Sequence, residues 1–152
     1  MTTGTARSGR TPQRGSRAPL LLDTSAAVAL ILQDHTAHAA VLAAVDGRRL
    51  GLAGHAWFET YSVLTRLPGG RRRSPADVVR ILSTNFPASV FLDARQATRL
   101  GEELAAHEVA GGSVYDALVG AAARAYGLEL ASADRRARPV YDALGVDILW
   151  VA

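Results

Sequence analysis

The chain has 152 residues, enough for one domain around a single core, and its composition of 49% hydrophobic and 20% charged residues is typical of a globular protein. It contains no cysteine, which excludes disulfides, zinc–thiolate sites and thiol nucleophiles and suits a reducing cytoplasm. No apolar run approaches ~20 residues and no apolar signal core precedes residue 19, so we expect neither a membrane span nor a secretory signal.

The net charge of +3 is unevenly distributed along the chain. Residues 1–18 contain four of the 17 arginines and no acid, and they are rich in Gly, Ser, Thr and Pro without periodicity. This composition predicts a disordered basic arm over 1–18 and a folded domain over 19–152. The chain has no lysine, which we attribute to a GC-rich genome in preference to phosphate recognition by arginine.

Short apolar runs alternate with helical segments through the rest of the chain. The first half is predicted to form a strand, two helices, a strand and two helices, over 20–23, 24–32, 35–46, 50–53, 55–67 and 74–85. The second half is predicted to form a strand, two helices, a strand, a helix and a strand, over 89–92, 93–108, 113–127, 128–132, 133–144 and 147–151. We expect Pro139 to disturb the last helix.

This alternation predicts the fold class. Helical crossovers are the usual connections between parallel strands, and short apolar runs are typical of strands that are buried on both faces. We therefore expect an α/β three-layer sandwich, with a mostly parallel central sheet of four to five strands and helices on both faces. In such sheets, ligands bind outside the carboxyl ends of the strands.

Four carboxylates are predicted to meet at that edge of the sheet. Asp23 ends the first strand, and Glu59 lies one turn into a helix. Asp116 lies in the first turn of the helix that precedes the 128–132 strand, and Asp134 follows that strand. Two such charges ~5 Å apart repel by roughly 3 kcal/mol at an effective dielectric near 20, so four in one cleft require cations. Hard carboxylate oxygens without cysteine favour Mg²⁺ or Mn²⁺.

Each carboxylate also has an ordinary structural interpretation. Asp23 can cap the helix that follows it, and Glu59 can be a solvated helix residue. Asp116 lies three residues after Ser113, a spacing that approximates a capping box. Asp134 can pair with a neighbouring arginine at the surface. Taken singly, the two interpretations are equally good, but the order and topology of the four acids together favour a shared cleft.

Three motifs surround these acids: Leu-Leu-Asp-Thr-Ser at 21–25, Tyr-Asp-Ala-Leu-Val-Gly-Ala-Ala-Ala at 115–123, and Leu-Ala-Ser-Ala-Asp at 130–134. Together with Glu59, and in this order, they resemble the PIN-domain ribonucleases, specifically the VapC-type toxins of bacterial toxin–antitoxin pairs. The resemblance covers residues 20–151 and implies a PIN-like nuclease domain over 19–152.

The resemblance also implies an acidic pocket with two supporting hydroxyls, formed by Asp23, Glu59, Asp116 and Asp134 with Ser25 and Ser132. Asp23, Asp116 and Asp134 would be metal ligands, and Glu59 would bind metal, directly or through water, or orient the nucleophile. RNA cleavage would leave a 5′-phosphate and a 3′-hydroxyl, and single-stranded or loop RNA is the expected substrate. A cognate antitoxin and a toxin homodimer are the implied partners.

Several other side chains lie near these acids in the sequence or carry a charge that suits RNA. His55 lies one helical turn before Glu59, within reach of the acids, and the aromatic residues Trp57, Phe58 and Tyr61 are assigned to the core. Six arginines are candidate phosphate contacts, with a solvated charged surface as an equally good interpretation: Arg71, Arg72, Arg73, Arg135, Arg136 and Arg138.

Two other classes of function compete with a nuclease. Receiver domains, aspartate-nucleophile phosphatases and P-loop enzymes all hold phosphate with a lysine, which this chain lacks, and no dinucleotide-binding Gly-x-Gly-x-x-Gly motif is present. A non-catalytic PIN scaffold that binds RNA or a protein partner stays open, although the presence of all four acids argues against it.

Overall fold

Four strands and seven helices make up the part of the chain that the computed structural model describes, residues 17–152. The strands are β1 Leu20–Leu22, β2 Leu50–Leu52, β3 Leu130–Ser132 and β4 Ile148–Trp150. The helices are α1 Thr24–Ile31, α2 His38–Val45, α3 Ala56–Thr65, α4 Pro75–Asn85, α5 Ala94–Ala106, α6 Ser113–Ala125 and α7 Arg138–Ala143. The predicted basic arm lies outside the described residues, apart from Arg17 and Ala18, which are exposed.

The sheet is parallel throughout, with the strand order β2-β1-β3-β4. Alternate side chains of β1 face opposite layers, as the pleat of a strand requires. Leu20 and Leu22 pack with residues of α1, α2, α3 and α4, whereas Leu21 packs with residues of α6 and α7. Helix α5 adds Leu100 to a smaller cluster with α6 and α7. The predicted three-layer α/β sandwich is therefore confirmed.

The strand order creates a crevice between β1 and β3. The chain moves from β1 outward to β2, and later places β3 on the opposite side of β1. Loops leaving β1 and β3 consequently diverge to opposite sides at their carboxyl ends, which is where open α/β sheets bind ligands. Asp23 follows β1 directly and Asp134 follows β3 by two residues, so both acids lie at this crevice.

The strand predicted over 89–92 is wrong. Val90 forms a single parallel bridge with Ala53, and no regular ladder continues from it. The Oγ of Ser89 accepts the hydrogen bond of the Leu52 N–H at 2.9 Å, a bond that a backbone carbonyl would accept in a complete ladder. The Ala88 carbonyl instead lies so close to Gly51 that a Cβ there would be 2.3 Å from its oxygen. The hydroxyl has therefore replaced one rung of the ladder.

Two predicted helices and one predicted core residue also differ in the structure. The helix expected over 35–46 begins at His38, after a turn in which the imidazole of His35 accepts from the Ala37 N–H. The helix expected over 133–144 is divided into a 3₁₀ turn, Arg135–Ala137, and α7. Pro139 lies in the first turn of α7, where its missing N–H removes no helical hydrogen bond.

The prediction that Phe58 lies in the core is wrong, since its side chain is 57% exposed.

Candidate active site

A cavity of about 750 Å³ opens at the carboxyl edge of the sheet, and all four predicted acids line it. Asp23 comes from the end of β1, and Asp134 from the loop after β3. Glu59 lies in the first turn of α3 and Asp116 in the first turn of α6. Four separate elements therefore bring carboxylates to one concave surface, as their order along the chain predicts.

Asp23 is the most deeply buried acid of the cavity, with 5% of its surface exposed. Its Oδ1 accepts from the Ser25 hydroxyl at 2.6 Å and from the Ala26 N–H at 3.0 Å, so the side chain caps α1 while it lines the cavity. Its Oδ2 accepts from the buried Tyr141 hydroxyl at 3.2 Å. Burial raises the pKa of Asp23, because desolvation of the charge outweighs the hydrogen bonds that stabilise the carboxylate.

Glu59 is held by one hydroxyl and leaves one oxygen open. The Thr24 hydroxyl donates to its Oε2 at 2.7 Å. The other oxygen, Oε1, lies 3.8 Å from Nε2 of His55, and the side chain is 38% exposed. The His55 ring stacks on Tyr115, with 5.0 Å between centroids. His55 thus touches an acid of the cavity.

Asp116 has the least compensated charge. Burial, and then the negative charges of Asp134, Glu59 and Asp23, raise its pKa to about 6, and the positive charge of Arg136 opposes this only in part. The alternative interpretation of Asp116 as part of a capping box is wrong. Helix α6 has Gly112 as its N-cap and no side-chain capping hydrogen bond.

Asp134 is paired at the mouth of the cavity with Arg136. Arg136 donates from Nε to Oδ1 and from Nη2 to Oδ2, each at 2.9 Å, and its backbone N–H donates to Oδ1 at 3.0 Å. These bonds hold the pKa of Asp134 below its ordinary value. The Arg136 side chain is 91% exposed, so this is a solvated pair. Asp134 therefore lines the cleft and also forms an ion pair with a neighbouring arginine, so both interpretations of this residue apply.

Two serine hydroxyls connect the loops that carry the acids. Ser25 Oγ donates to Asp23 and accepts from the Ala133 N–H at 2.9 Å, which joins the ends of β1 and β3. Ser132 is fully buried, and its Oγ accepts from the Asp134 N–H at 3.2 Å. Both hydroxyls thus stabilise backbone next to an acid, which is where the sequence places them.

Most of the candidate RNA-binding arginines lie elsewhere. Arg71 pairs with Asp34, and Arg72 donates to a backbone carbonyl. Arg135 and Arg138 lie over the Trp150 ring, at 5.3 and 5.8 Å from its centroid. None of the six lines the acidic cavity, and Arg136 alone of the six is bonded to an acid that does.

Sequence reasoning missed five polar residues of the cavity: Thr24, Ser62, Arg66, Tyr115 and Tyr141. Ser62 and Arg66 follow Glu59 at intervals of three and seven, so the helical period of α3 was the signal for both. No local pattern marks Tyr141, because the fold of α7 against β1 brings it to Asp23.

The four carboxylates of the cavity have the chemistry and the location that suit a hard divalent cation. Carboxylates crowd one cavity, and burial together with their mutual repulsion raises the pKa of Asp116, a cost that a bound cation offsets. In the described part of the chain, however, no three His, Asp or Glu side chains converge into a ready ligand group. Asp23 and Asp134 accept hydrogen bonds from the protein instead, from Tyr141 and Arg136 respectively.

Comparison with known proteins defines the class. The family model described as "PIN domain" matches residues 20–143. The chain belongs to the PIN-domain family, as the order of its acidic motifs predicts.

A relative with high identity is of the VapC type, which confirms that resemblance. The chain is 47% identical over 134 residues to ribonuclease VapC27 of Mycobacterium tuberculosis, covering 88% of this chain and 98% of that one. The crystal structure of M. tuberculosis VapC20, a toxin that cleaves the sarcin–ricin loop, matches with a TM-score of 0.62 and 24% identity, over 84% of this chain and 95% of that one. VapBC2 of Rickettsia felis, solved with a DNA fragment from its promoter, matches with a TM-score of 0.63 and 13% identity, over 88% and 99% of the two chains. These two structures share the fold of this chain.

Proposed function

We propose that this protein is a divalent-metal-dependent endoribonuclease that acts as the toxin of a toxin–antitoxin pair. The observation that carries the proposal is the convergence of four carboxylates, from four separate elements, on one cavity at the carboxyl edge of the sheet. The 47% identity to a VapC ribonuclease over nearly the whole domain supports the same activity.

Asp23, Asp116 and Asp134 are the proposed ligands of Mg²⁺ or Mn²⁺. The bound ion would supply an activated water and would offset negative charge on the scissile phosphate. The protein holds two of these acids in position. The Ser25 and Tyr141 hydroxyls donate to the Asp23 carboxylate, and the Ser132 hydroxyl accepts from the backbone N–H of Asp134.

Glu59 is proposed to orient the attacking water. Its Oε2 accepts from the Thr24 hydroxyl, and Oε1 accepts no hydrogen bond from residues 17–152, lying 3.8 Å from Nε2 of His55. A carboxylate that is held at one oxygen presents the other in a defined direction, and positioning of a nucleophile is a major part of catalysis. Cleavage of single-stranded or loop RNA by this route leaves a 5′-phosphate and a 3′-hydroxyl.

The proposed partners are a cognate antitoxin and a second copy of the toxin, in the cytoplasm. The structural match to VapBC2, solved with DNA from its promoter, supports an antitoxin partner. In residues 17–152, no helix is long and apolar enough to cross a membrane.

The test is cleavage of purified cellular RNA by the wild type, by Asp23→Asn and by Asp116→Asn, with Mg²⁺ or Mn²⁺ and with EDTA. We expect EDTA to abolish cleavage and each variant to lose at least ~100-fold, since loss of an outer partner of a metal ligand already costs ~10–100-fold. Asparagine keeps the shape and the capping ability of Asp23. Asp46→Asn, an exposed acid at the end of α2, is the matched control. Undiminished cleavage by both site variants would contradict the proposal.

A non-catalytic PIN scaffold remains the second candidate, because no three acidic or histidine side chains of residues 17–152 are arranged to hold an ion. Titration of the protein with Mn²⁺ in a calorimeter separates the two. Binding that Asp116→Asn weakens supports the nuclease, whereas the absence of binding supports the scaffold.

A further inference from the structure

The acidic cavity has one arginine in its lining. Its walls carry the four carboxylates and the Arg66 side chain, together with five hydroxyl-bearing side chains: Thr24, Ser25, Ser62, Tyr115 and Tyr141. An RNA strand entering the cavity brings more negative charge to a surface that already repels its phosphates. The position of this cation therefore bears on how the strand is held.

Helix α3 places Arg66 and Glu59 at opposite ends of one wall. Residues 59, 62, 63 and 66 all line the cavity, with the spacing of a single helical face. Seven residues separate the two charged positions, which corresponds to ~10 Å along a helix. The backbone N–H of Arg66 donates to the Val63 carbonyl at 3.2 Å, so the base of the side chain is anchored at the helix end. The Arg66 side chain thus leaves the helix about two turns along the wall from Glu59, on the side of the cavity away from the start of α3.

The charge of Arg66 is available. Among residues 17–152, no carboxylate oxygen lies within 4.0 Å of its guanidinium, although the cavity contains four acids. Arg136, by contrast, has both of its forked donors on Asp134. A planar guanidinium with unoccupied donors matches two oxygens of a phosphate. The exposed Ser62 hydroxyl lies one turn away on the same wall and adds a further donor.

We propose that Arg66, with Ser62, forms a binding site for a phosphodiester group of the RNA strand that flanks the cleaved bond. The inference rests on the proposed function for the identity of the strand. Arg66 is a binding residue here and not a catalytic one. A cation at the carboxyl end of α3 also interacts favourably with the helix dipole, and that role requires no ligand.

The experiment measures binding of a short, fluorescent, single-stranded RNA of mixed sequence as a function of salt, in Mg²⁺. All proteins carry Asp116→Asn, so that the probe stays intact. We expect Arg66→Gln to raise the Kd about tenfold at low salt, as for loss of a charge-assisted hydrogen bond. It should also lower the slope of log K against log salt by ~0.7, the value for one phosphate contact on a single strand. Arg66→Lys should keep the slope and recover part of the affinity.

Arg99→Gln is the matched control, since it removes the same charge from an exposed position on α5 that does not line the cavity. A slope that is equal in the parent, Arg66→Gln and Arg99→Gln overturns the inference, as does a parent that does not bind the probe. A lower melting temperature for Arg66→Gln with unchanged RNA binding also overturns the inference. That result is the one expected if Arg66 only interacts with the dipole of α3. A reduced slope together with an inactive wild type would support the phosphate site and contradict the nuclease.

Discussion

The four acids of the cavity differ in how the protein compensates their charge. Asp134 accepts hydrogen bonds from a forked guanidinium, Asp23 accepts from two hydroxyls and a backbone amide, and Glu59 accepts from the Thr24 hydroxyl. Asp116 accepts no hydrogen bond from any residue between 17 and 152. It is therefore the acid with most to gain from a cation, and its pKa of about 6 reflects that.

The raised pKa of Asp116 predicts a pH-dependent cost in stability. The pKa of Asp116 is about 6 in the folded protein and the ordinary aspartate value is 3.8, so the folded state binds more protons between these values, and stability falls as pH rises through this range. In metal-free buffer at pH 7.5, Asp116→Asn should stabilise the protein by ~1–2 kcal/mol, after a discount of the full ~3 kcal/mol for partial exposure. The gain should vanish near pH 4. Urea denaturation at both pH values measures it.

Asp46→Asn serves as the control for this measurement too, since it removes a charge of the same sign outside the cavity. An equal gain from both substitutions, or a gain at Asp116 that persists at pH 4, would show that burial and repulsion of the Asp116 charge in the cavity are not the cause.

Packing of α6 against α7 fixes the position of Tyr141. A Cβ on Gly120 of α6 would lie 2.9 Å from Tyr141 Cδ1 and 3.0 Å from Val146 Cγ2. The ring therefore fits only because position 120 has no side chain. The same ring carries the hydroxyl that donates to Asp23. A helix–helix contact thus controls the geometry of an acid on a different element.

Gly120→Ala should destabilise the protein by ~1–3 kcal/mol through overpacking, and should also reduce RNA cleavage well below the melting temperature, because the Tyr141 hydroxyl moves away from Asp23. Urea denaturation and a cleavage assay at low temperature measure the two effects. Gly101→Ala is the matched control: a Cβ there meets nothing within 4 Å, and alanine should stabilise α5 by up to ~1 kcal/mol. Normal stability of Gly120→Ala would show that α6 and α7 separate easily.

At the level of elements, the sequence predicted every strand of the sheet and most helix boundaries, because buried apolar runs and capping signals are local. Asp93 and Gln96 form the cap that begins α5, close to the predicted start. The apolar pattern of 89–92 predicts a strand, but it does not show that the Ser89 hydroxyl accepts the Leu52 N–H hydrogen bond that a regular strand would accept through its backbone. Competition between a side chain and the backbone is decided by geometry that the pattern does not contain.

Across the whole molecule, charge is divided between two regions. Residues 1–16 contain three arginines and no acid, so the remaining chain, with 14 arginines and 14 acids, has a formal charge of zero. The part of the protein that carries the proposed site is therefore neutral in sum, with its acids gathered at one edge of the sheet. Non-specific attraction to RNA is expected to come chiefly from the N-terminal arginines.

A protein that lacks residues 1–16 should keep its melting temperature, because the predicted domain begins near residue 19. It should bind mixed-sequence RNA more weakly, with a smaller salt dependence. Thermal denaturation and the salt titration described for Arg66 measure the two effects. A full-length variant with the three arginines replaced by glutamine is the control, and it should reproduce the loss of binding. A fall in melting temperature on truncation would contradict the predicted domain boundary.

The sequence located the acids of the cavity because each follows a recognisable strand end or helix start. It did not locate the other polar residues that line the cavity. Arg66 can be predicted from the helical period, since it lies seven residues from Glu59 on one helix. Tyr141 is 118 residues from Asp23 and meets it only through tertiary packing. Residues placed by helical period are predictable once one member of the face is known, and residues placed by long-range packing are not.

The hydroxyl of Ser89 has a consequence for how the protein behaves at high concentration. The outer edge of β2 would otherwise be an open row of backbone donors and acceptors, the kind of surface onto which a strand of another molecule can add. Residues 88–90 cover that row, and with the Leu52 N–H taken by a side chain they form no regular strand of their own. The sheet therefore ends at this side in an irregular segment, which we expect to be a poorer template for a foreign strand than a complete edge strand.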